Sequence, residues 1–275
     1  MMARNTMYRQ VFFPRTLIAV SFGMLIFLVA GCAGVNRLRE AQDAFNQAAV
    51  AENTLRLESA RPQEGSASDA PATWSVARNG YASALLSLEK LDKADEKKLR
   101  DDGLWGTALT LKALSQWRLG LFSKALATAG EALKNAGDQV YPRDRALLAA
   151  LPGLIKTDQA YNKILSDNPA LSEVQDLLVG QNGAVANIQS ARARVDRQHP
   201  VQVYLVQAQL AAYRNFMVAL DRLDNHATVP ENDPARAKAM EHLKELADLL
   251  KAQPAASGGK DLVQDWALLC ALPLP

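Results

Sequence analysis

Residues 106–134 read GTALTLKALSQWRLGLFSKALATAGEALK, and the way this stretch folds decides how the rest of the chain is read. Apolar residues recur at helical spacing on both sides of Gly120. The spacing predicts one helix over 104–119 and a second over 121–135, the latter ended by Gly137. A break this short forces the two helices to lie antiparallel. The unit is a helical hairpin, and the flanking chain carries more of the same signal.

Upstream, residues 37–58 place Leu38, Ala41, Phe45, Ala48, Ala49 and Leu55 at helical spacing. Residues 59–72 are small and turn-forming without apolar period, so they read as a loop or linker, and Thr73 is a candidate cap for the next helix. That helix is expected over 74–91, with Val76, Tyr81, Leu85, Leu88 and Leu91 near one face. The mixed-charge run 93–102 reads as a solvated helix start or a loop. Downstream, a helix is expected from Pro142 to Leu165, bent at Leu151-Pro152-Gly153, and Asp167-Asn168-Pro169 stops it. A helical stretch over 171–195 is interrupted at 180–183. Residues 201–223 form an apolar pattern covering more than one face, yet Gln202, Gln207, Gln209, Arg214 and Asn215 argue against a membrane span. This is expected to be a central helix wrapped by the others. Pro234 suits the first position of a helix over 235–252, and 262–272 closes the chain as a short helix. Strand signals are almost missing, so the fold class is all-α.

Four of these helices share a spacing of small and larger residues: Ala41, Phe45, Ala48; Ala77, Tyr81, Ala84; Ala125, Ala129, Ala132; and Ala212, Phe216, Ala219. Small residues at i and i+7, one turn on either side of the residue at i+4, let a helix press closely on its partner. Residues 106–134 resemble a tetratricopeptide repeat, with Ala113, Gly120, Phe122, Ala125, Ala132 and Leu133 at that repeat's small, turn, aromatic and small positions. Lys112 stands where leucine is usual and Ala129 where an aromatic is usual, and the four matches start 36, 48 and 87 residues apart. A strict repeat has a period of about 34. The resemblance therefore implies an irregular α-solenoid or helical-hairpin array. It also implies that the first helix of the repeat lines a concave face, which makes Lys112, Gln116 and Arg118 the expected exposed partner-binding residues.

The N-terminus reads as an address. Arg4, Arg9 and Arg15 stand without any acid ahead of the apolar run Leu17–Leu28, the layout of a secretory signal. Val29-Ala30-Gly31-Cys32 then resembles the lipobox of bacterial lipoproteins. The resemblance implies cleavage between Gly31 and Cys32, and a lipid-bearing Cys32 that anchors the protein in the membrane. Because Ala33 and not Asp follows the cysteine, it further implies the outer membrane, facing the periplasm. The alternative is an uncleaved single-pass anchor, since the uncharged interval 16–36 is long enough to span a bilayer. The expected organisation is a signal peptide over 1–31, an anchored first helix and linker over 32–72, and a helical domain over 73–275.

Removing residues 1–31 takes away three arginines and no acid, so the net charge of +2 becomes −1. That excludes a basic body for nucleic acid. Acylation of Cys32 would leave Cys270 alone in the apolar run Trp266–Leu272, where it reads as a buried small residue. His199, His226 and His242 have no second metal ligand at helix spacing, so neither metal nor cofactor is expected. Glu241-His242 faces two sides of one helix, and Asp221, Asp224 and His226 read as a solvated helix end. Ser257-Gly258-Gly259-Lys260 and the pair Gly180, Gly183 lack the context of a phosphate loop. No catalytic constellation is found, and the expectation is a non-catalytic, membrane-anchored adaptor for another envelope protein. A second reading is a ligand-holding accessory lipoprotein of a solute uptake system, with Trp105, Trp117, Tyr204 and Tyr213 lining its pocket. A third is a structural lipoprotein whose partner is itself.

Overall fold

The computed structural model describes residues 33–60, 70–166, 169–223, 233–252 and 259–275. Among the described residues there are eleven α-helices, one short 3-10 turn and no strand. The helices are α1 (Ala33–Ala60), α2 (Ala70–Glu89), α3 (Lys93–Asp101), α4 (Trp105–Arg118), α5 (Phe122–Asn135), α6 (Pro142–Ser166), α7 (Leu171–Leu178), α8 (Ala184–Arg192), α9 (Val201–Leu223), α10 (Pro234–Ala252) and α11 (Gly259–Leu269). Pairs of neighbours pack on one another: α1 on α2, α4 on α5, α9 on α10. α6 packs chiefly on α8, with the short α7 between them in sequence. No helix of the described residues is long and apolar enough to cross a membrane. The signal segment with Gly31 and Cys32, residues 61–69 of the expected linker, and Asp224 and His226 lie outside the described residues.

The hairpin at 106–134 turns on backbone chemistry at Gly120. Its φ of +75° is left-handed, a region open to glycine at no steric cost. Gly120 N donates to Trp117 O at 2.9 Å and Leu121 N to Gln116 O at 2.9 Å, the paired bonds that close a helix C-terminus. Gly103, at φ +72°, ends α3 the same way, with Leu104 N donating to Leu99 O at 2.7 Å. The end of α11 repeats the device at Ala271, a non-glycine held at φ 50° while Leu272 N donates to Ala267 O at 2.8 Å.

The small-residue seams are core. Ala41, Ala48, Ala77, Ala84, Ala125, Ala132, Ala212 and Ala219 are all buried, and Phe45 meets Tyr81 edge-on with ring centroids 5.1 Å apart. Backbones approach closely at two glycines. A Cβ on Gly80 would lie 2.7 Å from Ala48 Cβ across the α1–α2 seam. One on Gly153 would lie 2.7 Å from Ala184 O across the α6–α8 seam. α6 therefore continues through Pro152-Gly153, and the glycine serves the crossing with α8.

Two expectations on helix limits change. α2 starts at Ala70, four residues before the expected Trp74, and α1 runs on to Ala60. The charged run 93–102 is a helix with a reciprocal cap: Ala94 N and Asp95 N donate to Asp92 Oδ1, each at 2.8 Å, and Asp92 N donates to Asp95 Oδ2 at 3.3 Å.

The result is two lobes, each around one enclosed helix. In the first, α4 is surrounded by α1, α2, α3, α5 and α6. In the second, α9 is surrounded by α6, α7, α8 and α10, and its residues are buried without interruption from Val201 to Met217.

Candidate functional site

The three residues expected to face a partner all sit on α4, and its enclosure decides their surroundings. Lys112 is half-buried. Gln116 is 3% exposed, and its Oε1 accepts a 2.8 Å hydrogen bond from Thr128 Oγ1 of α5. The Arg118 side chain is 5% exposed, and its guanidinium lies 3.9 Å from the Trp117 ring centroid, a cation–π contact. Arg118 Nη1 is 3.4 Å from Glu52 Oε1, and the Tyr81 hydroxyl donates to Glu52 Oε2. Trp117 Nε1 donates to Asp158 Oδ2 of α6 at 2.7 Å. The expected exposure of Gln116 and Arg118 is thereby corrected. Helices pack around α4 on all sides, so it lines no open concave face, and its polar residues tie α1, α2, α5 and α6 together instead.

The aromatic residues proposed to line a pocket have separate partners. Trp105 lies under the Arg100 guanidinium, 5.2 Å from its carbon, and Trp117 bonds Asp158. Tyr213 faces His242, with centroids 5.6 Å apart, and Tyr204 is buried in α9.

A second polar cluster, centred on Arg192 of α8, had no counterpart in the sequence reading. Arg192 is buried. Its Nε donates to Gln202 Oε1 at 3.0 Å, and its Nη1 donates to Gln209 Oε1 and, at 3.1 Å, to Glu245 Oε2. Nη2 donates to Glu245 Oε1, which makes the pair two-pronged. Gln202 Nε2 returns to the carbonyls of Arg192, Val195 and Asp196 at 3.1–3.3 Å, and Gln209 Nε2 donates to Gln189 Oε1 at 3.0 Å. His242 Nδ1 lies 3.3 Å from Glu245 Oε2. The His242 hydrogen bond, followed by Arg192, lowers the Glu245 carboxyl from its usual range to about 2, against the opposing effect of burial. These groups come from three helices. The only local sign of them is the seven-residue spacing of Gln202 and Gln209, which puts both on one face of α9.

The other candidates have structural surroundings. His199 Nδ1 accepts from Val201 N at 3.2 Å and so caps the start of α9. Cys270 is a free, buried thiol, pushed up to about 12 by burial. Among the described residues, no group of three or more His, Cys, Asp or Glu is placed to hold a metal. Comparison of the chain with family models, curated proteins and solved structures finds no match, so its site is read from its own geometry.

Proposed function

We propose that the protein is a membrane-anchored lipoprotein of the bacterial envelope, acylated at Cys32, whose helical body is a non-catalytic scaffold for another envelope protein. The observation that carries this reading is continuity. Gly34 and Leu38, the second and sixth residues after the lipobox cysteine, are already buried against the helical body. Stacked helical pairs offer extended surfaces that recognise partners by shape, without reacting groups. The partner surface belongs on outward-facing helices, because α4 is enclosed. α2, with Val76 and Leu86 exposed, and α5, with Leu126 exposed, meet that requirement.

Crosslinking in cells of a C-terminally tagged protein beside Cys32→Ala, followed by membrane fractionation and mass spectrometry, tests the proposal. A specific envelope protein captured by the parent, and lost or reduced with Cys32→Ala, is the expected result. A membrane-fractionated, acylated protein that captures no partner would sink the scaffold reading and turn attention to small-molecule binding.

A further inference from the structure

We infer that the corner formed by the first turn of α1 and by α3 rests directly on phospholipid headgroups, with no tether between the lipid and the folded body. The inference depends on the proposed acylation of Cys32 and adds an orientation to it. Cys32 is bonded to Ala33, so their Cα atoms are about 3.8 Å apart. From there the chain is already docked. Gly34 is buried, and a Cβ on it would lie 2.9 Å from Asp95 Oδ1 of α3. Arg37 Nη1 donates to Asp95 Oδ2 at 2.7 Å and to the Lys90 carbonyl, and Leu38 is in the core. A flexible spacer is rich in small polar residues free of packing. Here the first turn after the anchor is pinned to the end of α2 and to α3.

In the segments that form this corner, Arg39, Lys90, Lys93 and Lys97 are exposed, as are Glu40, Glu89 and Asp92. Asp92 is committed to the amides of α3. The charge is mixed, so the lipid supplies the affinity, and the lysines face phosphate groups at a surface that attracts cations. α2 runs away from this corner. Val76 stands thirteen residues before Glu89, about 20 Å up the helix, and the Ala60 end of α1 is about 40 Å from its start. Val76 is thus well removed from the lipid end along the α1–α2 pair.

The test uses the full-length protein processed in cells and reconstituted into vesicles of phosphatidylethanolamine and phosphatidylglycerol. A fluorescent label is placed through Lys93→Cys or Val76→Cys, both exposed positions. Cys270 is buried and does not compete for the label. With a quencher on the lipid headgroups, the label at position 93 should be quenched several-fold more than the label at 76. A flexible Gly-Ser insertion between Ala33 and Gly34 should remove that difference. Equal quenching at the two positions, or a difference that survives the insertion, overturns the inference. The mass of the mature N-terminal peptide separates the two levels. A lipid-bearing peptide with equal quenching removes this inference alone, whereas a peptide without lipid removes the reading beneath it as well.

Discussion

The helices α4 and α9 are both enclosed by other helices, yet they settle their buried polar groups in different ways. On α4 the shorter polar side chains bond close by, while Trp117 and Arg118 at its end reach Asp158 and Glu52. Thr110 Oγ1 returns to Gly106 O of its own helix at 2.8 Å, and Gln116 reaches only the adjacent α5. On α9 the side chains are long and reach outward: Gln202 and Gln209 to Arg192, Gln207 to Trp266 Nε1 at 3.3 Å, and Asn215 Nδ2 to Thr157 O at 3.3 Å. Close packing of small residues holds the first lobe, where buried carboxylates such as Glu52 and Asp95 are held by single arginines, Arg118 and Arg37. A hydrogen-bonded network that extends to the surface at Glu245 holds the second. The two lobes should therefore fail under different insults.

The largest effect is expected in the first lobe. Arg118→Glu puts a second carboxylate against Glu52 in a closed site and should cost about 4 kcal/mol in urea unfolding, since it breaks a buried pair and adds repulsion. A charge reversal here reports on the fold and not on a binding surface. In the second lobe, Arg192→Leu should cost about 2 kcal/mol, less because the Glu245 side chain is 42% exposed and regains water. Hydrogen exchange should then rise in α8–α10 while α4 stays protected; equal loss in both lobes would end the comparison.

Acid should act on the second lobe as well. Glu245 has a folded value below its ordinary one, so its contribution is present above pH 4.5 and is lost as pH falls toward about 2. After discounting for exposure, the loss should be about 1–2 kcal/mol between pH 6 and pH 2. Glu245→Gln should flatten that part of the stability profile, and an unchanged profile would show that the network carries no such linkage. Ala271→Gly relieves a left-handed alanine and should raise stability by up to about 1 kcal/mol, read as a higher urea midpoint. The smallest change is expected for Lys112→Glu, within about 0.5 kcal/mol, because the side chain is only half-buried. A large loss there would mean that α4 is enclosed even more tightly than its neighbours indicate.

Most of the helical framework was legible in local pattern. The limits of α9 match the expected 201–223, and Gly120 ends α4 where the hairpin reading placed the break. These features depend on residues a few positions apart, and helical periodicity and left-handed glycines act over that range. The reciprocal cap of α3 is hard to see locally because Asp92 stands just before the run 93–102, whose charges suggest a solvated helix start or a loop, although the three-residue spacing of Asp92 and Asp95 is that of such a cap. The surroundings of Gln116 and Arg118 were misread for a deeper reason. A polar residue on an amphipathic helix is assigned to water, but a helix enclosed on all sides has no watery face, and its polar groups must find partners from elsewhere in the chain. Arg192 and Glu245 are 53 residues apart, and no local spacing announces such a pair.

The position of α9 also sets an order of events as the chain emerges, N-terminal end first, where it folds. Every partner of α4 is complete once α6 has formed, at residue 166, whereas α9 needs α10 and so waits until residue 252. The first lobe can close while the second is still emerging. During that interval an apolar helix of 23 residues stands without its cover. The glutamines and Asn215 that later bond across the finished lobe, with the charged Arg214 beside them, meanwhile lower its tendency to self-associate, so residues that are structural in the folded protein also guard its unfinished form.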